Sequence, residues 1–485
     1  LLCGGIMNAG IAIFQQFGVD SFLDAVIIKK ARIPFANLGQ PNHFSDYIAL
    51  ALGSMLLLYA KRRLHVGTAV AAGGVLLYAL SFSGSRSSWL YVVTMAALSI
   101  LFFVKNRHAE SRRLAIAAPL LMLGFALVQI KWFALVPGGL TTPTENIFIQ
   151  AGSKSDRLAI WLEAWQMFLQ APLLGTGFGE FAYQHFLFSG QSPEVIRGLL
   201  YNHSHNIVMQ VLAEFGLPAT LLLVGGVSAW LWRLIDAGAF TLEKWWLLAL
   251  LSVMAIHSML EYPLWYAYFL GVAAILLGLG EARFFRLNMQ RAGRGLFVLL
   301  IALGGMSLFN LVHSYSSFES AFYGFGKSLS KKDKLEVFEE NAKELLKQVM
   351  LIHRESLLSS YAEIAVSRGI SLDKDKLSDK LSVNGRAMHA APTDEIVYRQ
   401  ALLLGLSGDH QAAARQFDLA AAAYPHDVAG VTSLLTRKAK FDEGSYLPLL
   451  RHVEAWTQAH PEAVKKKAAG PVTESAVVTP ALKKH

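Results

Sequence analysis

The chain has 485 residues, of which 54% are apolar and only 16% are charged, against a charged share of about 25% in ordinary soluble proteins. This composition excludes a typical soluble globular protein and favours a polytopic membrane protein. The net charge of +9 would suit a nucleic-acid partner, but basic residues on cytoplasmic loops explain it first, so we predict no nucleic-acid binding.

The chain begins inside an apolar stretch, without a charged n-region or a cleavage site, and is therefore predicted to be a fragment that lacks upstream spans. Its single cysteine, Cys3, excludes an internal disulfide and a cysteine-rich metal site. Nine apolar runs approach the length needed to cross a hydrocarbon core of roughly 30 Å. They lie near residues 1–17, 46–60, 66–82, 89–104, 114–133, 206–232, 245–260, 262–280 and 295–312.

Basic residues are divided unevenly between the two sides of these spans. One set of connections holds 13 Lys or Arg in 40 residues, namely 61–65, 105–113, 233–244 and 281–294. The opposite set holds 7 in 106 residues, namely 18–45, 83–88 and 134–205. By the positive-inside rule the first set is cytoplasmic. The long loop 134–205, and everything after the last span, are thus predicted to face the periplasm or the cell exterior.

The composition changes after the transmembrane domain, which we place at 1–312. Residues 313–461 show charged, Ala-rich helical patterns and are predicted to form a separate α-helical domain. Within it, Pro392 to Pro425 has the small-residue spacing, central Gly-Asp and closing Pro of a tetratricopeptide-like (TPR-like) hairpin. Only one such unit is clear, although a repeat array needs about three for stability. Residues 462–485 lack a core pattern and are predicted to be disordered.

Two arginines lie on the predicted outer side, Arg86 in SGSRSSWL and Arg157 in SDRLAIWLEAW. A guanidinium stays charged and matches phosphate oxygens with two parallel hydrogen bonds, so this pair could hold a lipid-linked diphosphate. The alternative is that each arginine snorkels to the interface or pairs with an acid such as Asp156.

The glycine-rich sequence GTGFG, Gly175 to Gly179, resembles a phosphate-binding loop only superficially. It lacks the Lys-Ser/Thr that follows a Walker-type loop, and no βαβ pattern surrounds it. We therefore predict a tight turn after Pro172.

His203 and His205, in NHSHN, directly precede the span at 206–232. A neutral imidazole can accept a proton near pH 7, which suits a histidine to activate a hydroxyl group. Two histidines at this spacing could also bind a metal ion, but no third and fourth ligand stand at a familiar spacing. We predict no metal and no cofactor. Glu214 lies nine residues after His205, so the two need not meet.

Two more polar segments fall on the same side, LGQPNHFSDY (Leu38 to Tyr47) and HSMLEYPLWY (His257 to Tyr266). An acid at membrane depth is costly and usually has a function, which makes Glu261 a candidate. The alternative for Glu261 is an ordinary exposed residue of the turn.

In chain order, SRSSW, DRLAIW, PLLGTGFGEF and HSHN followed by EFG and Pro resemble the O-antigen ligase superfamily, inner-membrane glycosyltransferases that use undecaprenyl-diphosphate-linked glycans. GQPNHF, HSMLEYPL and the C-terminal extension resemble its protein-glycosylating branch, the bacterial O-oligosaccharyltransferases that modify pilin-like proteins. The resemblance covers roughly residues 35–280. It implies an all-α polytopic membrane protein, with a GT-C-like multi-helix transmembrane bundle, an outward-facing active site and an even number of spans missing upstream.

The resemblance also implies roles for individual residues. The essential histidine of the family matches His205, and its two diphosphate-binding arginines match Arg86 and Arg157. In the protein-glycosylating branch, a glutamine and a tyrosine match positions in QPN and EYP. The predicted acceptor-binding residues are therefore Gln40, Tyr262, Glu261 and His203.

The implied reaction moves an oligosaccharide from undecaprenyl diphosphate to a Ser or Thr hydroxyl of a periplasmic or pilin-like protein. His205 would be the general base and the two arginines would stabilise the departing diphosphate, so the enzyme would be metal-independent and inverting. Its partners would be the glycan donor, membrane lipid and a protein acceptor engaged by the C-terminal domain. The protein would lie in the bacterial inner membrane, with its active site and C-terminal domain in the periplasm.

Three alternatives remain open from the residues alone. A ligase or polymerase of the same superfamily would use the lipid A core or a growing glycan chain as acceptor. A polyprenyl-lipid transporter would be expected to show internal repeats and broken spans in both halves, which the sequence lacks. An assembly scaffold built around the helical domain would leave the two arginines and the histidines unexplained.

Overall fold

The computed structural model describes residues 1–18, 33–130, 140–151, 156–189, 201–236, 238–281, 290–330, 344, 347, 349 and 358–461. Within these residues all regular structure is helical, with 18 α-helices and no strand, which confirms the predicted all-α class. The predicted disordered tail, 462–485, lies outside the described residues.

Twelve helices precede the C-terminal domain. In chain order they are α1 (Leu2–Phe17), α2 (Pro41–Ala60), α3 (Val66–Phe82), α4 (Ser87–Lys105), α5 (Ala109–Val128), α6 (Pro143–Ala151), α7 (Asp156–Gln170), α8 (Phe181–Ser189), α9 (Ile207–Asp236), α10 (Leu242–Ser258), α11 (Ala267–Gly280) and α12 (Arg291–Ser330). A short 3-10 helix, Pro263–Trp265, joins α10 to α11.

The chain is a multi-pass membrane protein. Five described segments are long and apolar enough to cross a bilayer, namely α2, α4, α5, α9 and Arg291–Ser320 of α12. Three further apolar helices, α1, α3 and α11, have only 14 to 17 residues. The predicted span at 245–260 corresponds to α10, whose 17 residues include Glu243 and Lys244 in the first turn. Each of the nine predicted spans therefore overlaps a helix, but only five of these helices are long and apolar enough to cross a bilayer.

Helix α2 is the centre of the bundle, packing against α1, α3, α4, α5 and α10. From Ile48 onward its sequence is almost entirely apolar and contains small residues, which allow close approach of neighbouring helices. At Gly53, a Cβ atom would stand only 2.7 Å from the side chain of Leu250 in α10. This close packing brings the start of α2 beside the end of α10, where the polar segments begin.

Helix α9 is broken near its beginning, because Gly216 has φ +77° and Pro218 follows. The GTGFG segment closes this break: the backbone N–H groups of Thr176 and Gly177 donate to the carbonyls of Ala213 (2.9 Å) and Glu214 (3.1 Å). GTGFG is thus a tight turn that supplies hydrogen bonds which the kinked helix cannot make internally.

The C-terminal domain contains six helices, α13 (Ser359–Gly369), α14 (Leu377–Ala390), α15 (Asp394–Leu406), α16 (His410–Ala423), α17 (Val428–Ala439) and α18 (Glu443–Ala459). They pack as three consecutive pairs, α13 with α14, α15 with α16, and α17 with α18. The predicted hairpin at Pro392 to Pro425 is the middle pair. The flanking pairs carry weaker sequence patterns, and the sequence alone did not identify them.

Helix α8 belongs to two apolar cores. Phe181 and Phe188 pack with residues of α7 and α9, while Phe186, fully buried, packs in the core of the C-terminal domain against α14 and α16. Beside Phe186, Tyr183 stacks on His389 with ring centroids 3.8 Å apart. Helix α8 therefore joins the helices around the NHSHN segment to the C-terminal domain.

Candidate active site

The segment before α9 is held by hydrogen bonds from its neighbours. The indole N–H of Trp161, in α7, donates to the carbonyl of Ser204 (3.0 Å), and the backbone N–H of Ser204 donates to the side chain of Gln210 in α9 (2.7 Å). Asn206 caps α9 by accepting two backbone N–H bonds at 3.0 and 3.2 Å. Between them, His205 has φ +54°, a conformation that a residue other than glycine keeps only where its surroundings fix it.

Two histidines and a glutamate from distant parts of the chain meet beside this segment. His205 Nδ1 lies 3.1 Å from Glu261 Oε2 and 3.1 Å from His203 Nε2. The other oxygen of Glu261 lies 3.2 Å from Asn42 Nδ2 and 3.4 Å from a guanidinium nitrogen of Arg157. Glu261 is only 8% exposed, so the alternative of an exposed turn residue is wrong. We call these five residues the histidine cluster.

The charges of the cluster are set by burial and by these contacts. Burial of Glu261 opposes its ionisation, but its contacts with His203 and His205 and the charge of Arg157 outweigh this effect and hold the carboxyl pKa well below its usual range. Burial, assisted by the neighbouring His205, lowers the pKa of His203 to about 4, although Glu261 opposes the shift. Near pH 7 the cluster therefore contains an ionised carboxylate and a neutral His203.

The contacts select one arrangement of protons on His205. Because Nδ1 faces the carboxylate at 3.1 Å, that nitrogen carries the proton and donates it to Glu261. That single proton is shared with Nε2 of His203, also 3.1 Å away, which accepts because Nδ1 of His203 donates to the side-chain oxygen of Asn202 at 2.5 Å. This leaves Nε2 of His205 unprotonated. A base whose second nitrogen is oriented by a carboxylate is the arrangement used to take a proton from a hydroxyl group.

Tyr262 lies directly over the cluster, with its ring centroid 3.7 Å from that of His203. Tyr266 extends this aromatic wall, 5.8 Å from Tyr262. Gln40 is the N-cap residue of α2, and its amide lies 2.6 Å from His43 Nε2. Of the four predicted acceptor-binding residues, Glu261 and His203 belong to the cluster, Tyr262 contacts it, and Gln40 lies two residues before Asn42, which contacts Glu261.

Several polar residues near the cluster escaped the sequence analysis. Asn42 belongs to the quoted GQPNHF segment, and its contact with Glu261 joins positions 219 residues apart. Asp46 and His257 form a fully buried pair, 2.7 Å apart, which ties α2 to the last turn of α10. The backbone N–H of Glu261 donates to the carbonyl of His257 (2.8 Å), so this pair fixes the point from which Glu261 projects. Polar side chains inside apolar helices were the signal that could have identified them.

A second buried pair supports His205 from the other side. His185, in α8, is hydrogen-bonded to Glu163, in α7, and both side chains are at least 90% buried. The ring of Tyr201 packs edge-on against His185 and also against His205, at centroid distances of 5.6 and 5.7 Å. Helices α7 and α8 thereby contact the imidazole of His205 through one tyrosine.

Arg86 is exposed at the start of α4. Two residues later, the Ser88 hydroxyl lies 2.7 Å from that of Ser45 in α2. Arg86 is therefore at the same end of the bundle as Asn42, whereas Arg157 contacts Glu261 directly. Of the two arginines predicted to bind diphosphate, the structure places one inside the histidine cluster and the other at the end of a neighbouring helix.

Three atoms of the cluster could also act as metal ligands. The ligand atoms of His203, His205 and Glu261 all lie within 4.8 Å of one another, so the structure supplies a third potential ligand that sequence spacing did not reveal. The same atoms are engaged in the hydrogen bonds described above, and Arg157 already provides a positive charge beside the carboxylate. The absence of a metal requirement therefore stays a prediction.

Comparison with known proteins gives two family matches and two relatives. Residues 71–224 match a family described as O-antigen ligase, and residues 245–436 match one described as virulence factor membrane-bound polymerase, C-terminal. A general O-oligosaccharyltransferase of Acinetobacter baylyi is 25% identical over 290 residues, which cover 58% of this chain and 50% of the relative. A ComP-specific O-oligosaccharyltransferase of the same organism is 28% identical over 254 residues, or 50% of this chain and 43% of the relative.

The chain thus spans about half the length of the curated relatives it matches. No solved structure matches it. The ligase match covers Arg86, Arg157 and His205, and the second match covers Glu261 and Tyr262. Together with the two relatives, these matches confirm the resemblance, drawn from the motifs, to the O-antigen ligase superfamily and its protein-glycosylating branch.

Proposed function

We propose that this protein is an O-oligosaccharyltransferase, which transfers an oligosaccharide from undecaprenyl diphosphate to Ser or Thr hydroxyls of a protein such as a pilin-like subunit. The observation that carries the proposal is the contact of His205 with the buried, ionised Glu261. A general base is what transfer to a hydroxyl group needs. The names of the two relatives support a protein acceptor.

In the proposed reaction, Nε2 of His205 takes the proton of the acceptor hydroxyl. The hydroxyl oxygen then forms a bond to the anomeric carbon while the bond from that carbon to the diphosphate oxygen breaks, which inverts the configuration. Polyprenyl diphosphate leaves with the electron pair. Glu261 acts as a positioning residue, because it holds the proton on Nδ1 and stabilises the imidazolium that forms.

Arg157 is suited to the departing diphosphate. Its side chain is 31% exposed, and only one of its nitrogens contacts Glu261, so further donors remain for phosphate oxygens. Arg86 would bind the same group from the start of α4. Fixed positive charges at the leaving group replace the divalent cation that many glycosyltransferases use, which is the physical basis of the metal-independent proposal.

The acceptor is expected to approach over Tyr262 and the start of α2, where Gln40 is located. The C-terminal domain would engage the same acceptor protein, since paired helices form extended surfaces suited to peptides. In this arrangement the active site and the C-terminal domain lie in the periplasm, as the distribution of basic residues indicates.

A second acceptor class is favoured by one specific observation. The matched family models are described as an O-antigen ligase and a membrane-bound polymerase, rather than as protein-modifying enzymes. The lipid A core or a growing glycan chain would present a sugar hydroxyl to the same base. The chemistry at His205 would then be unchanged.

The deciding experiment uses a full-length version of this protein in a host that supplies an undecaprenyl-diphosphate glycan, together with a pilin-like protein and an acceptor-competent lipid A core. We expect glycan on the pilin-like protein, and its loss in His205→Ala. His426→Ala, at an exposed histidine of the C-terminal domain, is the matched control and should transfer normally. Glycan on the lipid alone would support the second acceptor class. Glycan on neither acceptor, or an active His205→Ala variant, would reject the proposed mechanism.

Metal independence has its own test. Purified protein, treated with a chelator and then dialysed, should keep its initial transfer rate. Loss of transfer that Zn²⁺ restores would instead assign His203, His205 and Glu261 as metal ligands.

A further inference from the structure

A cavity of about 520 Å³ opens where α4 ends and α5 begins. Helix α4 starts beside α2 at the histidine cluster and runs for 19 residues, so the cavity lies at the opposite end of the bundle, about 28 Å away. Three arginines line it, Arg107, Arg112 and Arg113, and part of its wall is apolar, with Phe103 and Ile116.

The three guanidinium groups are not neutralised by neighbouring carboxylates. Among the described residues none of them forms an ion pair, even with Glu110, the single acid of segment 105–113. Two other basic residues at this end of the bundle are paired, Lys61 with Glu243 at 2.6 Å and Arg233 with Glu281 at 3.6 Å. The cavity therefore combines three positive charges with space that an anion can enter.

The surroundings of the cavity are those of a membrane interface. Both α4 and α5 are long and apolar enough to span a bilayer. The side chains next to the cavity on these helices are exposed and apolar, Val104 at 63% and Leu120 at 58%. On a membrane helix such residues face lipid, so the arginines stand at the level of the lipid headgroups.

We propose that this cavity binds an anionic phospholipid such as phosphatidylglycerol. Its phosphodiester would contact Arg107 and Arg112, and the first carbons of its acyl chains would lie on Phe103 and Ile116. Arg113 packs over the ring of Tyr59, with its guanidinium carbon 5.8 Å from the ring centroid, and adds positive charge from a fixed position. Basic pockets between membrane helices recognise anionic headgroups in this way. A choline headgroup is disfavoured because its positive charge would face the arginines.

The test measures lipid binding by the purified, delipidated full chain in detergent, using native mass spectrometry with short-chain phosphatidylglycerol as the probe. Arg107→Gln combined with Arg112→Gln should raise the dissociation constant about 10- to 30-fold. Arg233→Gln combined with Arg291→Gln removes the same charge from the same end of the bundle, and should change it less than about twofold. Arg113 is left intact so that its packing on Tyr59 is preserved.

Two further measurements identify the ligand. Short-chain phosphatidylcholine should bind at least about tenfold more weakly than phosphatidylglycerol. Inorganic phosphate at the same concentration should not displace the bound lipid. The proposal would be overturned if the two lipids bound equally or if phosphate displaced the bound lipid. It would also be overturned if both double variants lost the same affinity for phosphatidylglycerol, or if neither lost any. If Arg107→Gln with Arg112→Gln changes the thermal unfolding of the protein, Arg107→Lys with Arg112→Lys is used instead. This second variant should keep the preference for phosphatidylglycerol, because the positive charges remain.

Discussion

Replacing Glu261 by Gln removes the negative charge that faces His205 while keeping the size of the side chain. When His205 has accepted a proton, its imidazolium stands 3.1 Å from the carboxylate. At that separation the attraction is about 1.3 kcal/mol with the dielectric constant of water and about 5 kcal/mol with an effective value near 20. Because about 1.4 kcal/mol corresponds to a tenfold change in rate, transfer by Glu261→Gln should fall by between about 10-fold and 10⁴-fold.

The assay compares initial transfer rates of purified full-length variants at saturating donor and acceptor, and measures the donor KM separately. The loss should appear in kcat, since Glu261 acts through the base rather than through donor binding. Glu243→Gln is the control, because this glutamate forms an exposed ion pair with Lys61 at the far end of the bundle. A Glu261→Gln variant with kcat within about threefold of the unmodified enzyme would refute the role assigned to this carboxylate.

Three further predictions concern stability, each read as thermal unfolding of the detergent-solubilised protein. Gly175→Ala should lower the free energy of unfolding by at least about 2 kcal/mol, because the new Cβ would stand 2.2 Å from the backbone of Glu214. Gly179→Ala is the control, because Gly179 also has a positive φ but has open space around it. An equal loss in both variants would disprove the importance of the contact with Glu214. Phe186→Ala should lower the free energy of unfolding by about 3–5 kcal/mol, as for other buried phenylalanines. Phe178 is 75% exposed, so Phe178→Ala should lower it little. Comparable losses in the two variants would contradict the packing of Phe186 in the C-terminal core. Burial lowers the pKa of His203 from 6.5 to about 4, so between these pH values the unfolded chain binds a proton that the folded chain does not. The free energy of unfolding should therefore fall as the pH drops through this window, by about 3 kcal/mol in total. His203→Gln should flatten that dependence, and an unchanged slope would show that other groups cause it.

Much of the candidate site could be predicted because its residues stand out chemically in an apolar chain. His205 and Glu261 are polar residues at the ends of spans, where burial of a charge requires a reason, and Arg157 lies in the outer loop 134–205. The pairing of His205 with Glu261 could not be predicted, since the two residues are separated by 56 positions and lie in different connecting segments, before α9 and after α10. Only the packing of α2 on α10 determines that Asn42 and Glu261 meet, and that packing depends on side-chain shapes which periodicity does not encode.

The fold shows the same division. Apolar runs identified the membrane helices, but not which of them would fall short of a full span, because buried helices need no fixed length. One hairpin of the C-terminal domain had a recognisable pattern, while the helices on either side of it depend on contacts with that hairpin. Phe186 was indistinguishable in sequence from any other apolar residue of a loop, and its place in the C-terminal core follows from tertiary packing alone.

The double attachment of α8 has a consequence for synthesis of the protein. Phe186 is made roughly 200 residues before Ala387 and the other residues that bury it, so this part of the core has high contact order. Until α14 and α16 have folded, the apolar side of α8 that carries Phe186 is exposed. The same helix carries His185, which contacts Tyr201, and Tyr201 in turn contacts His205. We therefore expect the candidate active site to be completed late, and a chain that stops early to present an unburied aromatic helix to proteases and chaperones.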